Sequence, residues 1–115
     1  MEETEKLGKI FENSDCYAAI VFGSYARGEN YRDIDVAVFT DSDIRDIVRE
    51  APAIFDIQRF SDMPMYVRHR VLDEGELFYC RDQDRFYDEV FRFVKEYEDF
   101  RPRYEDYLEG VKSRG

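Results

Sequence analysis

The sequence lacks the features of several protein classes. It has no long apolar stretch: the longest run without a charged residue, Cys16 to Ala26, has eleven residues, whereas a membrane-spanning helix needs about 20. It also has no excess of Lys and Arg, since 17 basic residues stand against 27 acidic ones. This acidic balance argues against nonspecific binding to a nucleic-acid backbone and against docking on anionic membranes.

Cysteine, tryptophan and histidine are scarce. Cys16 and Cys80 are the two cysteines, and they lie in apolar runs without the spacing of metal ligands. We therefore expect both to be small apolar core residues in a reducing cytoplasm. The charged, acidic start of the sequence lacks the pattern of a signal peptide. The single histidine, His69, is expected at the surface or at a helix end rather than as a general base.

Ten Phe and nine Tyr residues supply a core despite the absence of Trp. A length of 115 residues suits one domain over 1–115, with its core at about 1–82 and a helical segment at about 83–113. Apolar periodicity predicts an α/β (α+β) fold in which helices flank a small mixed sheet of about four strands. The strands are predicted at 16–22, 33–39, 54–60 and 76–80, and the helices at 2–13, 41–50, 62–73 and from 83 almost to the end.

The last predicted helix carries two apolar faces. The first is a stripe of aromatic residues and Val spaced alternately by four and three: Phe86, Val90, Phe93, Tyr97, Phe100, Tyr104, Tyr107 and Val111. The second consists of Tyr87, Phe91, Val94 and Leu108. Two interpretations stay open: both faces belong to the core, or one packs on the domain and the other on a partner. Pro102 predicts a kink or break near Arg101.

The chemically informative stretch joins the first two strands. The first strand runs into Gly23 and Ser24, Arg27 and Gly28 follow, and Asp33 and Asp35 open the second strand. Gly23 has no side chain, so a polyphosphate can approach its backbone closely. Ser24 starts a helical turn whose N–H groups and hydroxyl can bind phosphate oxygens. Two aspartates at alternate strand positions point to one face, which suits Mg²⁺ with substrate phosphates.

A third carboxylate, Asp56, lies inside the apolar run IFDIQRF, where an unpaired charge would be costly. Two carboxylates about 4 Å apart repel by roughly 4 kcal/mol at an effective dielectric of about 20, so three that converge favour a bound cation. Acidic pairs at this spacing also arise by chance among 27 acidic residues, as at Asp41 and Asp43. The combination of Gly-Ser, Arg-Gly, Asp-x-Asp and a lone strand aspartate is far more specific.

These residues resemble the nucleotidyltransferases of the DNA polymerase β superfamily, and closely the minimal nucleotidyltransferase (MNT) domains. The similarity covers about residues 15–82 and rests on Gly23–Gly28, Asp33–Asp35 and Asp56, with Glu74–Tyr79 resembling the helix-to-strand ending of MNT domains. Two departures concern the link before the carboxylates. The link from Gly28 to Asp33 is shorter than is usual in the family, and Arg32 stands where a Ser often precedes the first aspartate.

The resemblance implies a polymerase β-like fold and transfer of a nucleoside monophosphate from a triphosphate to an acceptor hydroxyl, with release of pyrophosphate. It implies that Asp33 and Asp35 hold two Mg²⁺ ions. It further implies that Asp56 shares one metal and helps to deprotonate the acceptor. Gly23 and Ser24 would hold the triphosphate. Arg27 would contact phosphate or acceptor, or form only a surface ion pair.

MNT domains are commonly antitoxins paired with HEPN toxins, so the implied reaction is the transfer of AMP from ATP to a tyrosine of such a toxin. Two alternatives stay open. One is a binding-only antitoxin with a vestigial site, and the other is a nucleotidyltransferase that acts on a small molecule or an RNA end. The aromatic C-terminal helix could serve a hetero-complex, a homodimer or only the core.

Overall fold

The computed structural model describes residues 2–23 and 33–114, with side chains described up to residue 100. The helices are α1 (Glu2–Glu12), α2 (Arg45–Glu50), α3 (Met65–Glu74) and α4 (Gln83–Arg114). The strands are β1 (Ala18–Phe22), β2 (Ile34–Phe39), β3 (Phe55–Arg59) and β4 (Glu76–Cys80), and a short 3₁₀ turn, Phe60–Asp62, follows β3. The element order confirms the predicted mixed α/β domain, and β4 has its predicted bounds.

The four strands form one mixed sheet in the order β3-β2-β1-β4. β1 runs antiparallel to both β2 and β4, whereas β2 and β3 are parallel. The central strands β1 and β2 are almost entirely buried, because each is covered on both faces. This explains why their sequences are nearly continuous apolar runs instead of alternating ones.

Each face of the sheet has its own apolar core. On one face, Leu7 and Phe11 of α1 and Ile47 of α2 pack against Val21, Val36 and other strand residues. On the other face, α3 and α4 cover a cluster of aromatic side chains. There Phe39 stacks on Phe60 with ring centroids 4.4 Å apart, and Phe86 of α4 meets the edge of Phe39 at 5.1 Å. The long helix is thus joined to the ends of two strands.

Helix α4 packs on the sheet with only one of its two apolar faces. Phe86 and Phe93 of the first stripe are buried, and Val90 and Tyr97 pack against the same cluster. The second set is open, since Tyr87 is 57% and Phe91 62% exposed. The described part of α4 therefore supports the interpretation with one core face and one open face. Tyr104, Tyr107, Leu108 and Val111 lie beyond the described side chains.

Pro102 does not end the last helix. α4 continues from Gln83 to Arg114, so no break occurs near Arg101, while a bend there stays a prediction. A proline removes one N–H donor, and the hydrogen bonds of its neighbours preserve the helix on either side. Although α4 is long, it is rich in charge, and the described helices include none with the length and apolar character of a membrane span.

The second helix begins later than the sequence predicts. Asp41 and Ser42 were expected to cap it, but α2 starts at Arg45, whose N–H donates to the Asp43 carboxylate at 2.7 Å. The hydroxyl of Ser42 donates to Asp15 at 2.8 Å, and its N–H donates to the Thr40 hydroxyl at 3.1 Å. The capping group is therefore used to fix the chain that follows β2. The third helix likewise starts only at Met65, after Pro64.

Thr40 is the buried polar residue that holds this connection. Its hydroxyl accepts from Ser42 and donates to the carbonyl of Asp15 at 3.3 Å. We expect Thr40→Val, which keeps the shape and removes the hydroxyl, to lower the free energy of unfolding by about 1–2 kcal/mol, because two backbone groups lose their partner. Urea denaturation measures the effect, and an unchanged midpoint would show that water replaces these bonds.

Candidate active site

The register of the parallel strands places two of the predicted carboxylates side by side. Asp35 and Asp56 are each the second residue of their strand, and they are direct partners in the β2–β3 ladder. Paired residues on adjacent strands lie about 4.8 Å apart and point to the same face. That face is the one covered by α3 and α4, because Ala37 and Phe60, at alternate positions from Asp35 and Asp56, belong to its core.

The position of the pair in the sheet leaves it open to a ligand. Asp35 is half-buried and Asp56 is exposed. Both residues lie near the start of their strands, at the edge of the sheet where β1 ends. A charge inside the core would need a partner. At this edge, an exposed carboxylate is accessible to solvent and to a cation.

Asp33 lies just before β2 and is exposed. The N–H of the next residue, Ile34, donates to the carbonyl of Ile54 at 2.8 Å, so the ladder begins only after Asp33. Among the described residues, no three His, Cys, Asp or Glu side chains form a group that could hold a metal ion. The backbone thus pairs Asp35 with Asp56, and the contribution of Asp33 stays a prediction.

Gly23 stands directly beside the Asp35 carboxylate. Its φ is +79°, which is a left-handed conformation that residues with a side chain rarely adopt. A Cβ at this position would overlap Oδ2 of Asp35. The neighbouring residue Phe22 is the ladder partner of Asp35, and this pairing brings the glycine onto the carboxylate. The contact with Asp35 thus explains why a glycine is needed at position 23. The sequence did not reveal this contact, because it depends on the strand register.

Three predicted features of the site lie outside the described residues. Ser24 and Arg27, which were expected to contact phosphate, belong to the segment between Gly23 and Asp33, as does Gly28. Their roles therefore stay predictions. The donor set that is described consists of carboxylate oxygens beside a glycine backbone, which fits a hard cation such as Mg²⁺ better than a soft one.

The cysteines and the histidine have packing roles. The Cys16 thiol is buried and donates to the carbonyl of Ala18 at 3.0 Å. Burial raises the pKa of this thiol to about 11, so it is neutral at physiological pH and is not a nucleophile. His69 is half-buried and stacks on Tyr97 of α4 at 4.3 Å. It therefore joins α3 to α4 instead of lying at the surface.

The arginine beside His69 also packs against α4. The Arg68 guanidinium lies 5.1 Å from the ring centre of Phe93 and 3.9 Å from a carboxylate oxygen of Glu96. The sequence offers two roles for Arg68, contact with a triphosphate or compensation of the acidic C-terminal segment, and the second is the expected one. The contacts of Arg68 correspond to the second.

Among known protein families, the model "Polymerase beta, Nucleotidyltransferase" matches residues 5–84 of the chain. No curated protein sequence matches the chain.

Three solved structures with a similar fold are informative. A chain of a toxin–antitoxin complex with AMP-PNP is 19% identical, with a TM-score of 0.72 over 95% of this chain and 98% of that one. A chain from the complex of tri-AMPylated Shewanella oneidensis HEPN toxin with MNT antitoxin is 18% identical, with a TM-score of 0.69 over 96% and 97%. A chain of the MntA–HepT toxin–antitoxin complex is 16% identical, with a TM-score of 0.69 over 96% and 97%. At these identities the likeness concerns the fold.

Proposed function

The chain belongs to the polymerase β nucleotidyltransferase family, and we propose that it transfers AMP from ATP to a tyrosine hydroxyl of a HEPN-type toxin. As a member of this family it is a nucleotidyltransferase. The observation that carries the proposal is the pairing of Asp35 with Asp56 beside the backbone of Gly23. The choice of AMP and of a HEPN-type acceptor is supported by similar folds in a complex with AMP-PNP and in one with a tri-AMPylated HEPN toxin.

We assign the metal-binding role to Asp33, Asp35 and Asp56. Asp33 and Asp35 would hold two Mg²⁺ ions, and Asp56 would share one of them. The ladder pairing sets Asp35 and Asp56 side by side on one face of the sheet, where both carboxylates can bind the same cation, and this supports the assignment. When bound, the ions supply charge neutralisation for the triphosphate and activation of the nucleophile.

The residues of the chain would position the reactants for an in-line displacement. The acceptor oxygen forms a bond to the α-phosphorus while the bond from that phosphorus to the bridging oxygen of pyrophosphate breaks. Asp56 takes the proton of the acceptor hydroxyl, because it is the exposed member of the ladder pair. We propose that the Gly23 backbone, Ser24 and Arg27 contact the triphosphate oxygens.

The acceptor can be tested directly. We expect that incubation with Mg²⁺, α-labelled ATP and the product of the neighbouring gene, which we propose to be a HEPN-type toxin, labels that protein, whereas γ-labelled ATP leaves it unlabelled. Chelation with EDTA should abolish transfer, since charge neutralisation of the triphosphate and activation of the nucleophile depend on the metal. Electrophoresis and mass spectrometry measure the product as an added AMP on tyrosine.

Other outcomes favour the alternative functions. A tight complex without label transfer would favour a binding-only antitoxin. Label on RNA or on a small molecule, with none on protein, would favour the third function. The net charge of −10 disfavours an RNA acceptor that is held through its backbone.

The open face of α4 is the surface through which we propose self-association. Tyr87, Phe91 and Val94 lie on it, and two of them are more than half exposed. Light scattering of the chain alone, compared with a Phe91→Ser variant, distinguishes a homodimer from a monomer.

A cytoplasmic location is also proposed, and it is supported by the two cysteines, Cys16 and Cys80, which are both free.

A further inference from the structure

A small cavity opens at the same edge of the sheet as the paired carboxylates. Ile34 and Phe55 line it, and they directly precede Asp35 and Asp56. Neighbouring side chains of a strand point to opposite faces. The cavity therefore lies behind the carboxylates, on the face covered by α1. We call it the Leu77 cavity, because Leu77 of β4 forms an exposed part of its wall.

The Leu77 cavity is suited to one apolar side chain. Its volume is about 210 Å³, which is below the range of about 300–1,000 Å³ that is typical of small-molecule sites. Val21, Ile34, Phe55 and Leu77 make most of its wall apolar, so a triphosphate would lose its hydration there without compensation. Leu77 is 55% exposed, which is high for a leucine in a strand and leaves apolar surface for a partner to cover.

The rim of the Leu77 cavity carries a carboxylate. Glu76 lines the cavity and is exposed. Thr4 lines it from the first turn of α1, whereas Glu2, Glu3 and Glu5 of that helix line a separate hollow together with Lys6 and Lys9. An apolar hollow with this rim is complementary to an apolar side chain that has Lys or Arg beside it, since opposite charges favour encounter and fix register.

We propose that the Leu77 cavity receives one apolar side chain of the polypeptide that carries the acceptor hydroxyl, with a basic residue of that polypeptide against Glu76. The inference rests on the proposed function, and it adds a subsite for the acceptor. A segment that lies along the edge of the sheet reaches both faces, so one side chain enters the cavity while another presents its hydroxyl to Asp56. The cavity would select the acceptor, and the carboxylates would act on it.

The test uses as the acceptor the purified protein that the labelling experiment above identifies. We expect Leu77→Ser to raise KM for the acceptor protein at least about fivefold, as truncation of an anchoring contact does, with KM for ATP and kcat unchanged. Val48→Ser is the matched control, because Val48 is 49% exposed on α2 and does not line the cavity. Urea denaturation should give all three proteins nearly the same midpoint, since Leu77 and Val48 are both exposed.

A charge reversal tests the rim. Glu76→Lys should raise KM for the acceptor protein, and the increase should shrink with added salt. Glu50→Lys makes the same change of charge at an exposed position of α2 and should leave KM unchanged.

Three outcomes separate the inference from the proposed function. If Leu77→Ser and Val48→Ser have the same KM for the acceptor, the cavity does not bind it and the inference fails. If Leu77→Ser raises KM for ATP instead, the cavity holds the nucleotide, which also overturns the inference. If the wild type transfers nothing, the proposed function fails, and the Kd of the complex then decides the role of the cavity with the same pair of variants.

Discussion

Asp33→Asn/Asp35→Asn should transfer AMP at least about 10³-fold more slowly than the wild type. An amide carries no charge and binds Mg²⁺ weakly. Loss of the charge stabilisation that the metal supplies raises the free energy of the transition state by several kcal/mol, and each 1.36 kcal/mol lowers the rate tenfold. The same change should leave the free energy of unfolding unchanged or slightly higher, because Asp35 and Asp56 are direct ladder partners and like charges in that position repel. Label transfer and urea denaturation measure the two effects.

The control for this variant is a second acidic pair with the same spacing. Asp41 and Asp43 lie beyond the other end of β2, away from Asp56, so Asp41→Asn/Asp43→Asn should transfer AMP at nearly the wild-type rate. Undiminished transfer by Asp33→Asn/Asp35→Asn would overturn the assignment of the site. Equal losses in the two double variants would indicate a general effect of charge instead of a metal site.

The sequence was informative wherever burial on both sides of a strand dictates composition. The continuous apolar run of β1 predicted the first strand, because a strand covered on two faces has no polar position to alternate with. The run of β2, which alternates at first and then becomes apolar, predicted the second. The start of α2 could not be predicted, since the hydroxyl of Ser42 is held by Asp15, 27 positions earlier. Contacts that depend on the folded chain are invisible to local capping rules.

The candidate site was predicted in its residue types but not in its geometry. The Gly-Ser and Asp-x-Asp motifs selected Gly23, Asp33 and Asp35, and its place inside an apolar run selected Asp56. The parallel register that sets Asp35 beside Asp56 could not be predicted in the same way, because it involves two segments about twenty residues apart. The sequence also did not decide which apolar face of α4 packs on the domain, because the answer depends on contacts between distant segments. In the structure, Phe86 packs against Phe39 and Phe93 packs against Phe60, and these contacts identify the core face.

Gly23→Ala should reduce AMP transfer about 10²-fold and lower the free energy of unfolding by about 1–2 kcal/mol. The stability loss follows from φ = +79°, a conformation that costs a residue with a Cβ about this amount. The activity loss follows from the overlap of the new methyl group with Oδ2 of Asp35, since displacing a catalytic group by about 1 Å costs about 10²-fold in rate. Transfer assays and urea denaturation separate the two.

Gly8→Ala is the matched control, because a methyl group at Gly8 would meet nothing within 4 Å. Gly8 lies inside α1, where replacing glycine by alanine stabilises a helix by about 0.5–1 kcal/mol. The two variants make the same chemical change and should move stability in opposite directions, with transfer lost only at Gly23. Full transfer by Gly23→Ala would mean that Asp35 can move aside without loss, so that its position beside the glycine is not required for catalysis.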